Sequence, residues 1–203
     1  MRPKRQATYL ALLNAAIEVL ENDGEAAIRI RDLVAACGVT SPILYQNFGS
    51  REGLIIAAQS ERYARSWSVF AERFIPDIDS CNTASELRDV ITRVLESAYS
   101  PERMTVREVR ASVLGSAITR PALLVAIKSA LAPVVESTAD ALRRAQQRGI
   151  VSPDLDIVAA TWWYLGQIDG RLLVELLNPG VDPAAWNRTS VHAVCATLFD
   201  GLS

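Results

Sequence analysis

The chain has a single histidine, His192, and only three cysteines, Cys37, Cys81 and Cys195, far apart and without CxxC spacing. That argues against a histidine-rich metal centre and against a disulfide framework, and reduced thiols are expected. No glycine-rich phosphate loop, GxSxG or HExxH motif occurs, and no histidine stands near an obvious nucleophile. The acidic pairs Asp154/Asp156 and Asp77/Asp79 fall at an expected helix start and in an expected loop, where capping and solvation account for them. The expectation is a protein that is not an enzyme and carries no cofactor and no metal. An uninterrupted apolar run of about 18 residues is missing, as is the apolar block of a signal peptide. A cytoplasmic protein with no membrane partner is expected.

What the chain does have is a 50% apolar content over 203 residues, enough for substantial cores in one or two small domains. Apolar residues recur at helical intervals and no convincing strand alternation is found, so the fold class is all-α, with about nine helices. Helix 1 is expected over about residues 6–21, with Leu10, Leu13, Ile17 and Leu20 on one face. A long fourth helix is expected from Ser50 to about Phe74, ending before Pro76. Thr83 and Glu86 have capping-box spacing, and Ser100-Pro101 stops the helix that follows. Residues 121–148 carry the most regular stripe, through Leu124, Ile127, Leu131, Val134, Leu142 and Ala145. Ser152-Pro153-Asp154 and Asp182-Pro183 open the last two helices, the second closing at Gly201.

Residues 28–54 carry the densest signal. Leu33, Val34 and Cys37 lie at one-turn spacing, Gly38 supplies the backbone freedom of a sharp turn, and Thr40 stands where a hydroxyl can cap the next helix. That helix, expected over residues 41–47, has Pro42 in its first turn and small or polar residues at the end that meets base edges in helix-turn-helix proteins.

The pattern resembles the DNA-binding domain of TetR-type transcriptional regulators. The matching elements are Ala15-Ala16, Gly24, Gly38-Val39-Thr40, Leu44-Tyr45, Phe48 and Ser50-Arg51-Glu52, over about a quarter of the chain. The resemblance implies a helix-turn-helix domain over residues 1–50 and a helical effector-binding and dimerisation domain over 51–203, with the fourth helix passing between them. It implies a homodimer on near-palindromic double-stranded operator DNA, acting as a repressor that a small molecule releases. An effector-independent DNA-binding protein, or an activator of the same fold, are the alternatives.

Carried across position by position, the resemblance places Arg31, Ser41 and Pro42 near bases, with Tyr45 close by. Arginine grips guanine through two hydrogen bonds, serine pairs with several bases, and proline offers only apolar contact. A surface arginine touching only phosphate is the other reading of Arg31. Thr40, Gln46, Asn47 and Arg51 suit backbone positioning, Arg51 with the partial positive charge of a helix N-terminus behind it. Leu44 and Phe48 are core residues without a DNA role. Ile43 replaces a small hydroxyl residue, and Asn47 stands where histidine is common. The net charge of −2 is not an objection. Glu18, Glu21, Asp23 and Glu25 cluster away from Arg2, Lys4, Arg5, Arg31 and Arg51, which leaves a local basic edge.

Trp67, Phe70 and Phe74 share a helix face, which is ordinary core in one reading. By the resemblance, Trp67, Phe70, Met104, Leu114 and Trp163 are candidates to line a pocket for an apolar or aromatic effector. The last two helices, over residues 154–177 and 183–200, are the expected dimer elements. Their small positions Ala159, Gly166 and Gly170 permit close approach, and Trp162, Leu173, Leu177, Trp186, Val194 and Leu198 supply bulk. Packing within one subunit is the competing account of these residues.

Overall fold

The computed structural model describes residues 3–178 and 180–200, without the side chains of Pro3, Val69 and Phe70. Among the described residues the structure is all-helical. The elements are α1 (Pro3–Asn22), a 3₁₀ turn (Glu25–Ala27), α2 (Ile30–Ala36), α3 (Ser41–Phe48), α4 (Arg51–Ser80), α5 (Ala84–Tyr99), a second 3₁₀ turn (Pro101–Arg103), α6 (Met104–Ala117), α7 (Pro121–Gln147), α8 (Ile157–Leu177) and α9 (Pro183–Phe199).

Packing divides the chain into two units. The first holds residues 1–64 together with 113–130, and the second holds 65–112 and 131–203. A division by role at residue 50 ends with the recognition helix; the division by packing gives the first unit the N-terminal part of α4 and the turn between α6 and α7 as well.

The first unit closes on Leu12, Leu13, Ala16, Ile17, Leu20, Ile28, Leu33, Val34, Leu44, Leu54, Ile55 and Ala58. Leu10, expected on the inner face of α1, is instead exposed, because Leu12 and Ala16 turn the buried stripe by one position. The α2–α3 turn depends on Gly38, whose φ of 64° lies in the left-handed region that side chains with a Cβ rarely adopt. Its neighbour Val39 closes the turn by donating to the Val34 carbonyl at 3.0 Å. The α3–α4 turn is tighter still: a Cβ at Gly53 would stand 2.0 Å from the Phe48 carbonyl oxygen.

In the second unit, Pro76 does not end α4, which continues to Ser80. Phe74 and Ile78 are buried on either side of an exposed Pro76, so packing holds the helix through the missing hydrogen bond. The capping box of α5 forms, Thr83 Oγ1 accepting from the Glu86 amide at 3.2 Å and Glu86 Oε2 accepting from the Asn82 amide at 2.6 Å. α8 starts later than Ser152-Pro153-Asp154, at Ile157, because Asp156 caps it by accepting from the Val158 and Ala159 amides. Asp182 caps α9 in the same way, with Pro183 in the first turn. Gly201, the expected end of the last helix, lies outside the described residues.

Along α7, Ile127, Leu131, Leu142 and Ala145 are buried as expected, whereas Leu124 is exposed and Leu123 takes the inward place. This helix is long and apolar enough to cross a membrane by length and composition alone. Lys128 and the exposed Glu136 and Asp140 on its outer side mark the amphipathic pattern of a helix packed in a globular core.

Candidate nucleic-acid interface

α3 is amphipathic over only two turns. Leu44 is fully buried, and Phe48 stacks on Tyr9 of α1 with ring centroids 4.7 Å apart. These two contacts fix the rotation of the helix, leaving Pro42, Ile43, Tyr45 and Gln46 on its outer side. Ser41 is half-buried at its N-terminus. Thr40 occupies the N-cap position in an extended conformation, but its hydroxyl makes no capping bond, contrary to the expectation from sequence. Pro42 has no N–H, and the Ile43 and Leu44 amides donate to the Thr40 carbonyl at 3.0 and 3.3 Å, so the backbone of this first turn is largely committed within the helix. Arg31, in the first turn of α2, has a side chain 92% exposed, with only the neighbouring Asp32 carboxylate at 3.3 Å.

Two residues expected to position DNA carry work inside the protein. The Arg51 guanidinium donates from Nε to the Ile28 carbonyl at 2.9 Å and from Nη2 to the Glu25 carbonyl at 3.0 Å, tying α4 to the segment that leads into α2. Asn47 donates from Nδ2 to the Ile43 carbonyl at 2.8 Å, and its Oδ1 accepts from Arg5 Nε at 3.5 Å. Arg5 also donates to the Gln46 carbonyl at 3.3 Å, so α1 holds the C-terminal end of α3.

A further brace was not legible in the sequence. Arg120, in the turn between α6 and α7, grips the Glu25 carboxylate with two N–H groups, Nη1 donating to Oε2 at 2.7 Å, and stands 3.7 Å from Glu52. These hydrogen bonds hold the Glu25 carboxyl below its usual range despite partial burial. The pair is 95 positions apart in the chain, beyond the reach of any local pattern.

The second unit has a partly enclosed cavity of about 60 Å³. Its walls come from α4 (Phe74, Ile78), α5 (Leu87 to Leu95), α7 (Thr138, Leu142), α8 (Thr161, Tyr164, Leu165, Ile168) and α9 (Val194, Leu198). The expected pocket residues are placed otherwise. Trp67 is buried beneath the Arg110 guanidinium, 3.8 Å from its ring centroid, beside a separate small crevice. Met104 is half-buried at the start of α6. Leu114 is exposed and belongs to the first unit, and Trp163 is 38% exposed on α8. None of these four lines the cavity: Trp67 shares the face of Phe74 but lies two turns before it on α4, α6 with Met104 and Leu114 contributes no wall, and Trp163 stands exposed beside the wall residue Tyr164. The side chain of Phe70 lies outside the description.

Of the expected dimer residues, Val194 and Leu198 are corrected outright: both are buried and form cavity wall. Trp186 packs edge-on against Tyr99 at 6.2 Å within the same subunit. On α8, Trp162, Leu173 and Leu177 are exposed together with Val158 and Leu176, up to 75% at Leu177. Around Gly166 and Gly170 a Cβ would meet only open space, so within one subunit nothing demands glycine there.

A short helix that follows a glycine turn, is fixed in rotation by its neighbours and turns Pro42, Ile43, Tyr45 and Gln46 outward has the arrangement of a helix-turn-helix DNA-binding domain. Residues 12–58 match the model of the bacterial regulatory proteins of the tetR family. The regulator UidR of Escherichia coli K12, an HTH-type transcriptional regulator, is 24% identical over 176 residues, covering 87% of this chain and 81% of its own. A TetR-family regulator structure from a Rhodococcus species shares the fold with a TM-score of 0.69 at 22% identity, covering 95% of this chain and 99% of that one. The Bacillus subtilis regulator FadR in complex with stearoyl-CoA gives 0.61 at 20% identity, over 94% and 99% of the two chains. Residues 12–58 thus carry a DNA-binding segment of the tetR type, and the chain as a whole is similar to TetR-family regulators in fold.

Proposed function

We propose that the protein is a cytoplasmic, homodimeric repressor that reads a near-palindromic operator through Arg31, Ser41, Pro42 and Tyr45, and that a small molecule in the second unit lowers its affinity for DNA. The observation that carries the DNA-reading part is the outward face of α3, which Leu44 and Phe48 hold in place while Tyr45 and Gln46 stay free of the core. Thr40 and Gln46 are assigned to phosphates. Arg51 and Asn47 act one step back, by holding the α2 entry and the end of α3. The reading is of a binding protein without catalysis.

The dimer reading is supported by the outer face of α8. Val158, Trp162, Leu173 and Leu177 form an apolar stripe along the helix, and Gly166 and Gly170 lie in it at positions where a second helix can come close. Two recognition helices on half-sites one turn apart need a separation of about 34–36 Å, which a two-fold partner sets. Release by an effector is supported by α4, which carries Arg51 at one end and the cavity residues Phe74 and Ile78 near the other, so one helix links both tasks. The stearoyl-CoA complex of FadR supports a small-molecule effector in this fold.

The test starts by selecting duplexes from a random pool with the wild-type protein, followed by anisotropy titrations of the winning sequence and a scrambled one. Arg31→Ala is expected to lose discrimination by about 1–3 kcal/mol. Leu173→Glu is expected to sediment as a monomer and to lose selected-site binding. An Arg31→Ala variant that weakens both duplexes equally shows that Arg31 touches phosphate only. Dimers of undiminished stability in Leu173→Glu place the interface elsewhere.

A further inference from the structure

The cavity of the second unit is apolar but not uniformly so. None of its wall residues is charged. Three of them carry hydroxyls, and two of those are already committed: Thr138 Oγ1 donates to the Val134 carbonyl at 2.8 Å, and Thr161 Oγ1 donates to the Ile157 carbonyl at 2.7 Å, each within its own helix. The third differs. Tyr164 Oη is buried and has no hydrogen-bond partner among the described residues, although its ring is packed, with Trp163 edge-on at 5.4 Å. A buried hydroxyl without a partner loses its hydration and gains nothing in exchange, so such groups are found where a ligand or water completes them. Burial, with a smaller contribution from Cys195, pushes the phenol above its usual range, so at neutral pH it remains an O–H donor.

We propose that this cavity binds a compact neutral molecule, or the compact end of a larger one, whose single hydrogen-bond acceptor, a carbonyl or ether-type oxygen, meets the Tyr164 hydroxyl. The inference rests on the effector reading given above and adds the ligand class and the residue that selects it. Size follows from the volume. At roughly 10–15 Å³ of accessible volume per water-sized group, the space holds about four to six heavy atoms. Charge follows from the walls. A carboxylate or ammonium group would lose its hydration among Leu87, Val94, Leu165 and Val194 with no ion to pair with.

The test uses three ring compounds of similar size, within the about six heavy atoms that the space holds: cyclopentanone, methylenecyclopentane, which lacks the acceptor, and the cyclopropanecarboxylate anion. Each is titrated into the wild-type protein and into Tyr164→Phe, with the methyl NMR signals of Leu87, Val94 and Val194 as the readout. The expected result is that Tyr164→Phe weakens cyclopentanone roughly tenfold and leaves methylenecyclopentane unchanged, the size of one hydrogen bond. The carboxylate is expected to leave the three signals unmoved.

Equal cyclopentanone affinity in both proteins overturns the role of Tyr164, and carboxylate binding as tight as that of the ketone overturns the ligand class. No response to any probe overturns the site. Thermal unfolding guards against misfolding. Tyr164→Phe removes an unpaired polar group and is expected to keep or raise the midpoint, whereas a clear drop means that the hydroxyl has a structural partner and overturns the proposal. Operator affinity at saturating cyclopentanone separates this inference from the regulatory one: unchanged affinity, with the expected binding ratio, supports the site and overturns its role as an effector switch.

Discussion

The two units differ in how their best-held charges are placed. In the first, arginines reach across the surface to distant partners: Arg120 to Glu25 and Glu52, Arg51 to the backbone carbonyls of Glu25 and Ile28, Arg5 to the end of α3. These groups keep part of their hydration, and Glu25 is held ionised below its usual range. The second unit has exposed pairs as well, Arg144 with Asp79 among them, but it also holds ions in its interior. Arg107 is fully shielded between Glu175, at 2.9 Å from Nε, and the carbonyls of Ala98 and Ser100. Arg110 pairs with Asp169 at 2.9 Å, and burial pushes that carboxyl above its usual range despite the arginine. Rim pairs attach one segment to another at small cost, whereas interior pairs must be complete, because a lone buried charge is far more costly than a lost contact.

The largest effect that can break this comparison is therefore expected in the second unit. Glu175→Ala leaves Arg107 buried without its carboxylate and Arg171 without its partner at 3.3 Å, and is expected to lower stability by about 3–5 kcal/mol in denaturant unfolding. A loss below about 1 kcal/mol would mean that the cluster is wet and resembles a surface pair.

Gly53→Ala tests the first unit on a contact that is not ionic. Its Cβ would meet the Phe48 carbonyl oxygen at 2.0 Å, so the α3–α4 turn must open, at an expected cost of about 1–3 kcal/mol. Because that turn holds the recognition helix, affinity for the selected duplex is expected to fall by more than the unfolded fraction explains. A drop in stability with DNA binding fully retained in the folded fraction would show that the turn yields elsewhere.

The smallest effects sharpen the comparison through pH. Glu25 has a lowered carboxyl, so its contribution is fully present above the ordinary 4.5 and is lost as pH falls through the lowered value. Asp169 has a raised carboxyl, so it costs stability as pH rises through the ordinary 3.8 toward the raised value, and the cost is constant above that. Glu25→Gln is expected to flatten the acid side of the stability profile, and Asp169→Asn to steepen it. Unfolding measured between about pH 3 and 6 decides this, and profiles changed in the same direction by both variants would erase the distinction drawn between the units.

The helix-turn-helix was legible in the sequence because its determinants are local. Gly38, Leu44 and Phe48 lie within one short segment, and each needs its type for a reason of backbone or core that spacing alone reveals. The second unit was legible only as helices. α8 is apolar on two sides: Ile157, Leu165, Ile168 and Leu172 face inward, while Val158, Trp162, Leu173 and Leu177 face outward. Periodicity shows that residues share a face but not which face is covered, so Trp163 was read inward and Val194 and Leu198 outward, the reverse of where they stand. Trp67 failed differently, since a buried tryptophan serves as well under an arginine as in a pocket wall.

By itself, then, the chain determined most of its helices, the capping box at Thr83 and Glu86, the glycine turn of the DNA-reading motif and the family it resembles, all features set by residues within a few positions of one another. The tertiary structure decided that Arg120 holds Glu25, that Arg51 and Asn47 brace the motif from within, and that Tyr164 stands unpaired at an apolar cavity. Those depend on residues far apart in sequence meeting at one place, and the burial and hydrogen bonding that give them meaning exist only once the helices have packed.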